Sequence, residues 1–296
     1  MNPALAIVAS LSAVVTLVTI MFLRRLAPRA ASTALLLCSV GAALAGLSVL
    51  SSPAVAFLLH SSSDGTFAGW CRDLVVHGDV SPWVGLPATA VIGVLLGRGF
   101  RRWRQLRISG REIPPGDSLT IVQSNELIAL TTPGRHGRII VSTGLLSALS
   151  PIERRAVIAH ERAHLECRHD RFLMVSQVAS ALMPVVAPLE RLISRSLERW
   201  ADERAATEVG DRSAVARAIE HAATSTYTVP HLGSALAQSD VRLRLDALAV
   251  GGPGRSSTVA TALVLSLGAA VSVANLGSVS FQLHRLAELV MHVCPF

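Results

Sequence analysis

The chain has 296 residues, enough for one or two domains; 51% are hydrophobic and only 16% charged. A water-soluble domain carries about 25% charged residues, so this composition, with a mean hydropathy of +0.49, excludes an ordinary soluble protein and points to the membrane. The net charge of +7 does not indicate a nucleic-acid partner, because the arginines cluster beside apolar runs, where they set topology.

Residues 1–23 carry no charge and can span a hydrocarbon core, which takes about 20 apolar residues. Without a basic n-region or a small-x-small cleavage site, this run reads as an uncleaved anchor. Arg24, Arg25 and Arg29 follow. Residues 30–59 form a second uncharged run, with Pro53 as a kink or an end. The polar stretch 61–79 sets Asp64, Asp73 and Asp79 against Arg72, and residues 80–97 form a third run. Arg98, Arg101, Arg102, Arg104, Arg107 and Arg111 come next. By the positive-inside rule both arginine clusters are cytoplasmic, while the N-terminus and the 61–79 loop are outside. Residues 256–282 form a fourth run that returns the chain to the outside. The tail, with Leu283, Leu286, Leu289, Val290 and Val293 at helical spacing, suits the outer membrane surface. Three divisions follow: 1–97 with three membrane helices, 98–254 as a cytoplasmic domain, and 255–296 with the fourth helix. Cys71 and Cys294 share the oxidising outer side, so a disulfide between them is expected; Cys38 lies in the bilayer and Cys167 in the cytosol. No two cysteines form a C-x-x-C pair, which argues against a cysteine zinc site.

In the cytoplasmic domain, strands precede helices. Residues 118–123, 127–131 and 138–142 read as strands, and 144–149 as a short helix. Ser150-Pro151-Ile152-Glu153 is a capping-box sequence that opens the next helix. On it stands His160-Glu161-Arg162-Ala163-His164, an H-E-x-x-H motif. Two histidines four residues apart share one helix face, and both ring nitrogens can reach one tetrahedral zinc. Glu161 beside them is placed to take a proton from a zinc-bound water, as a general base. Catalytic zinc takes three protein ligands. Glu198 and Asp202, at i and i+4 on a later helix, offer the third ligand and a hydrogen-bond acceptor for a ligand histidine's outer nitrogen. The alternative for Glu198 is an ion-paired surface face, since Arg195, Arg199 and Arg204 are nearby. Residues 172–189 are apolar but short, with Pro184 and Pro188. A single crossing there would split the site across the membrane, so a buried helix or a re-entrant hairpin fits better. His169 and Asp170 read as an exposed helix end, and His221 and His231 as isolated histidines.

The run from Arg138 to His164, joined to Glu198-x-x-Ala201-Asp202, resembles the membrane-embedded gluzincin peptidases. These include the HtpX and CAAX-prenyl-protease type and the BlaR/MecR-type sensor peptidases. The resemblance covers residues 118–248. It implies an α-helical membrane protein of about four spanning helices with a cytoplasmic α+β zincin-like domain. It also implies one zinc ion held by His160, His164 and Glu198, catalytic Glu161, and Asp202 behind the ligands. Arg138, Ile139, Ile140, Val141 and Ser142 would then be an edge strand that pairs with an extended substrate. The size is most similar to the BlaR-like peptidases, which places the chain in a bacterial plasma membrane. Only a short tail follows Gln282, with no Ser-x-x-Lys motif, so sensing by acylation is not expected. The implied substrate is a cytosolic repressor of the BlaI type, or alternatively membrane proteins in HtpX-like quality control. A membrane receptor with a vestigial site is the non-enzymatic alternative. The partners are thus a protein substrate and the lipid bilayer.

Overall fold

A computed structural model of the chain describes residues 26–61, 81–109, 118–132, 137–224 and 234–250, with isolated residues between 14 and 20. The first and fourth apolar runs, most of the 61–79 loop, the tail, His231, Cys71 and Cys294 lie outside the described residues. The described part is mostly helical, with one small sheet.

Helix α1 spans Pro28–Ser61, 34 residues, or about 51 Å at 1.5 Å per residue. It passes position 53 without a break, so Pro53 does not end it. Helix α2 spans Pro82–Ser109. Both are long and apolar enough to cross a membrane, over Pro28–Ser51 and Pro82–Ile108. They differ in what covers them. The first half of α1 buries Ala30, Ala31, Ser32, Ala34, Leu35, Cys38, Ser39, Ala43 and Ala45, whereas α2 leaves Trp83, Val84, Leu86, Val91, Val94, Leu96 and Phe100 exposed. The buried Ser32 hydroxyl donates to its own helix at Pro28 O, 2.8 Å away, so it enters the packing without an unmet hydrogen bond.

The sheet has β1 (Leu119–Val122), β2 (Ala129–Thr131) and β3 (Ile139–Ser142) in the order β1-β3-β2. β3 pairs parallel with β1 and antiparallel with β2. It is therefore the central strand, and the expectation that Arg138 to Ser142 form an edge for substrate is not met. Its ladder groups are paired on both sides. Ile139 and Val141 are core residues at 4% and 1% exposure. Ser142 caps the next helix, α3 (Thr143–Ala148), by accepting from Leu145 N. The free edge nearest the later helices is β2. Gly144 opens α3 where a Cβ would come within 2.5 Å of Asn125 O, so only glycine fits.

Helix α4 spans Pro151–Glu166, and its capping box forms as the sequence implies, Ser150 and Glu153 bonding each other's backbone. Arg168, at φ 54° and ψ 44°, turns the chain through the left-handed region into α5 (His169–Leu182). A 3-10 turn at Pro184–Val186 reverses it into α6 (Ala187–Val209), which ends on Gly210 at φ 76°. The 172–189 segment is thus a helical hairpin whose two arms lie against α1 through Leu35, Ala43, Ala179, Val186, Leu189, Ile193 and Leu197. Residues on both sides of the expected boundary at 97/98 share this core. Helices α7 (Arg212–Thr224) and α8 (Ser234–Val250) are the last elements among the described residues. A second core joins α4, α6, α7 and α8 through Ala156, Ala159, Ala205, Ala206, Val215, Ala218, Ile219 and Leu248. With alanines on both facing helices, α4 and α6 approach closely, and this sets the site.

Candidate metal centre

α4 presents His160 and His164, and α6 presents Glu198, across the alanine seam. One ligand atom from each lies within 4.8 Å of the others. His160 Nε2 is 3.1 Å from His164 Nε2. The Glu198 oxygens stand 3.5 Å from His160 Nε2 and 3.7 Å from His164 Nε2. A tetrahedral zinc with ligands at about 2.0–2.1 Å sets them about 3.3 Å apart, so this spacing and this donor chemistry fit zinc.

The outer ring nitrogens support the same fit. Asp202, 2% exposed, lies 3.0 Å from His160 Nδ1. Its pKa is lowered: burial would raise it, but the Arg244 and His160 hydrogen bonds outweigh that. As a carboxylate it only accepts, so His160 Nδ1 carries a proton and Nε2, beside Glu198, is the nitrogen left for a metal. His164 Nδ1 lies 2.9 Å from His169 Nδ1. Buried at 1% exposure, His169 corrects the reading of it as an exposed helix end. Burial, then the neighbouring His164, lowers its pKa to about 3, so it is neutral and can accept from His164. The left-handed turn at Arg168 delivers it there. Trp200 packs on its other side, with ring centroids 4.9 Å apart.

Arg244, on α8, forks onto Asp202, Nε to Oδ2 at 2.8 Å and Nη2 to Oδ1 at 2.7 Å. Its Nη1 reaches Glu198 Oε2 at 3.3 Å. Burial disfavours protonation of His160, but hydrogen bonds to Asp202 and Glu198 raise its pKa to about 10. Partial burial would raise the pKa of Glu198, yet the His160 hydrogen bond and the charges of His160 and Arg244 hold it well below the carboxylate range. Glu161 is held by Thr131 of β2, whose Oγ1 lies 2.6 Å from Glu161 Oε2 and 3.0 Å from its carbonyl oxygen.

Arg195 and Arg204 do not cover Glu198. Arg195 pairs with Asp240 at 2.7 Å and Arg204 with Glu166 at 2.8 Å, so the surface ion-pair alternative has lost those partners. Glu203 pairs with Arg212, and His221 with Glu153. Sequence spacing did not reveal Arg244 or Thr131. They lie 42 residues from Asp202 and 30 from Glu161, and only the tertiary fold joins them.

Residues 109–187 match the sequence profile of peptidase family M48, whose members are zinc metalloproteases. The plastoglobule-localized metallopeptidase 48, chloroplastic, of Arabidopsis thaliana is 33% identical over 90 residues, 29% of this chain. The aligned chain spans 26% of that relative's length. No solved structure matches. The profile takes in the H-E-x-x-H helix and stops short of Glu198, Asp202 and Arg244. Taken with the site, the two matches support a metalloprotease.

Proposed function

We propose that the chain is a zinc-dependent endopeptidase of the membrane, with His160, His164 and Glu198 as zinc ligands and Glu161 as general base. The observation that carries this reading is the convergence of the three donors with both outer histidine nitrogens already engaged, by Asp202 and His169. Bound zinc supplies Lewis acidity to a peptide carbonyl and to an attacking water. The protein's own groups do the rest. Thr131 fixes the Glu161 carboxylate so that it accepts the water's proton and passes it to the leaving amine. Arg244 offsets the charge: Glu161, Glu198 and Asp202 carry three negative charges, which one guanidinium and one divalent ion neutralise. The free edge of β2, which carries Thr131, takes an extended substrate as an added strand; it replaces the 138–142 segment in that role.

α1 and α2 cross the membrane in this reading, the arginine clusters facing the cytoplasm. The peptidase domain is then cytoplasmic in a multi-pass bacterial membrane protein. A BlaI-like repressor suits such a site, and the resemblance of residues 138–164 to sensor peptidases favours it. HtpX-like cleavage of membrane proteins is the second reading, favoured by the hairpin packed along α1. An intact ligand set argues against a vestigial receptor. Glu161→Gln is expected to bind one zinc per chain, measured by metal analysis, and to lose cleavage. Proteins that persist uncut in a strain carrying this variant identify the substrate class. Undiminished cleavage refutes the assignment of Glu161.

A further inference from the structure

The tip of the α5–α6 hairpin takes no part in the site. Between Ala181 and Leu189 the chain carries no polar side chain. Pro184, Val185, Ala187 and Pro188 are exposed, Val185 by 77%. An exposed reversal is ordinarily polar. Here the backbone is as unsuited to water as the side chains. The N–H groups of Met183, Val186 and Ala187 are all donated to carbonyls of the same turn region, and Pro184 and Pro188 have none. A chain reversal with so few free donors meets the condition for contact with hydrocarbon.

Two contacts fix the level of the tip on the membrane helices. Leu182 fills the notch at Gly99 of α2, where a Cβ would lie 2.4 Å from its Cδ2. Met183 fills the notch at Gly46 of α1, where a Cβ would lie 2.2 Å from its Cε. On α2, Trp83 is 89% and Trp103 38% exposed. Twenty residues separate them, about 30 Å along a helix, which is about the thickness of the hydrocarbon core that interfacial tryptophans bracket. Arg107 stacks over Trp103 at 5.0 Å on the cytoplasmic side. Gly99 lies one turn inside Trp103, about 6 Å toward the bilayer centre. Arg98 and Arg101, exposed at this depth, reach the headgroups by snorkelling, and Arg102 donates to Gln177 Oε1 at 3.1 Å.

We infer that the hairpin tip, residues 182–188, seats in the inner leaflet as a further membrane contact beside α1 and α2, with phospholipid acyl chains as its partner. The proposal rests on the reading that α2 crosses the bilayer. From Ala187 to Glu198 is about 17 Å of helix. A tip about 6 Å deep therefore holds the ligands about 10 Å below the hydrocarbon boundary, just beyond the headgroup layer.

The test uses the full chain, loaded with zinc, in phosphatidylcholine–phosphatidylglycerol vesicles. A dansyl amino acid is incorporated by codon suppression at Val185, at Val91 in the middle of α2, or at exposed Arg155 on α4. Lipids brominated near the upper or the lower part of the acyl chain then quench it. Val185 should be quenched as strongly as Val91, but best by the upper bromine, and Val91 best by the lower; Arg155 should respond to neither. Quenching at Val91 without any at Val185 overturns the seated tip while leaving the span intact. No quenching at either site overturns both.

Discussion

At the residue scale, the two histidines proposed as ligands depend on what lies behind them. His169 offers His164 a neutral acceptor at 2.9 Å, and removing such a partner costs a metal site about 10–100-fold in affinity. His169→Leu is expected to weaken zinc binding by about that range, measured by competition with a chelating dye, while His169→Asn, which keeps an acceptor, restores most of it. Equal weakening in both variants would show that His169 only fills space. Arg244 acts on stability as well. Asp202 is 2% exposed, and leaving a buried charge without its partner costs about 3–5 kcal/mol. Arg244→Met should lower the unfolding free energy of the metal-free protein by that amount in denaturant titration. The proximity of His160, His164, Glu198 and Asp202 was legible in the sequence because i, i+4 spacing puts each pair on one helix face. Arg244 and Thr131 were not, because no periodicity links α8 to α6 or β2 to α4.

At the element scale, α4 is the clearest case of local sequence fixing local structure. Ser150, Pro151 and Glu153 announced its start, and Glu153 does more than cap. It also takes Arg217 at 3.3 Å and His221 at 3.6 Å. Its pKa is lowered, first by the backbone hydrogen bond from Ser150, then by the Ser150 side chain. A folded pKa below the unfolded value of 4.5 means that the contribution is complete above that value and vanishes as pH falls through the lower folded one. Glu153→Gln should cost about 1 kcal/mol at neutral pH, and the gap in melting temperature to the parent should close as the buffer is acidified below the carboxylate range. A gap that persists in acid would assign the loss to packing. The sheet was read less well. Three strands were placed in sequence, but their order was not, and a β1-β3-β2 arrangement turns the expected edge into the centre. Strand order depends on long-range pairing, which hydrophobic alternation does not encode.

At the scale of the whole molecule, composition pointed to the membrane, and the two described apolar helices agree with that in length. The boundary between membrane and peptidase parts was legible only as a change in charge, and packing does not respect it. Leu35 and Ala43 of α1 share a core with Leu189, Ile193 and Leu197 of α6. A fragment of residues 98–254 would expose that surface, so it should be insoluble or bind a hydrophobic dye. Adding α1 back as a separate chain should restore soluble, zinc-binding protein, read by gel filtration with metal analysis. A monodisperse, zinc-loaded 98–254 fragment would contradict the shared core.

α1, at about 51 Å, is longer than a bilayer is thick, and in the proposed reading about 20 Å of it projects below a hydrocarbon core of about 30 Å. Its base is not idle. The Arg29 guanidinium lies over Trp200 at 5.8 Å, Trp200 lies against His169, and His169 against His164. In the proposed reading, a continuous helix of this kind pivots where it meets the inner leaflet. A tilt of about five degrees swings the lower end by about 2 Å, the length of one zinc–nitrogen bond. In that reading, a displacement at the outer end of α1 is carried to the ring contacts behind His164 as a displacement of side chains.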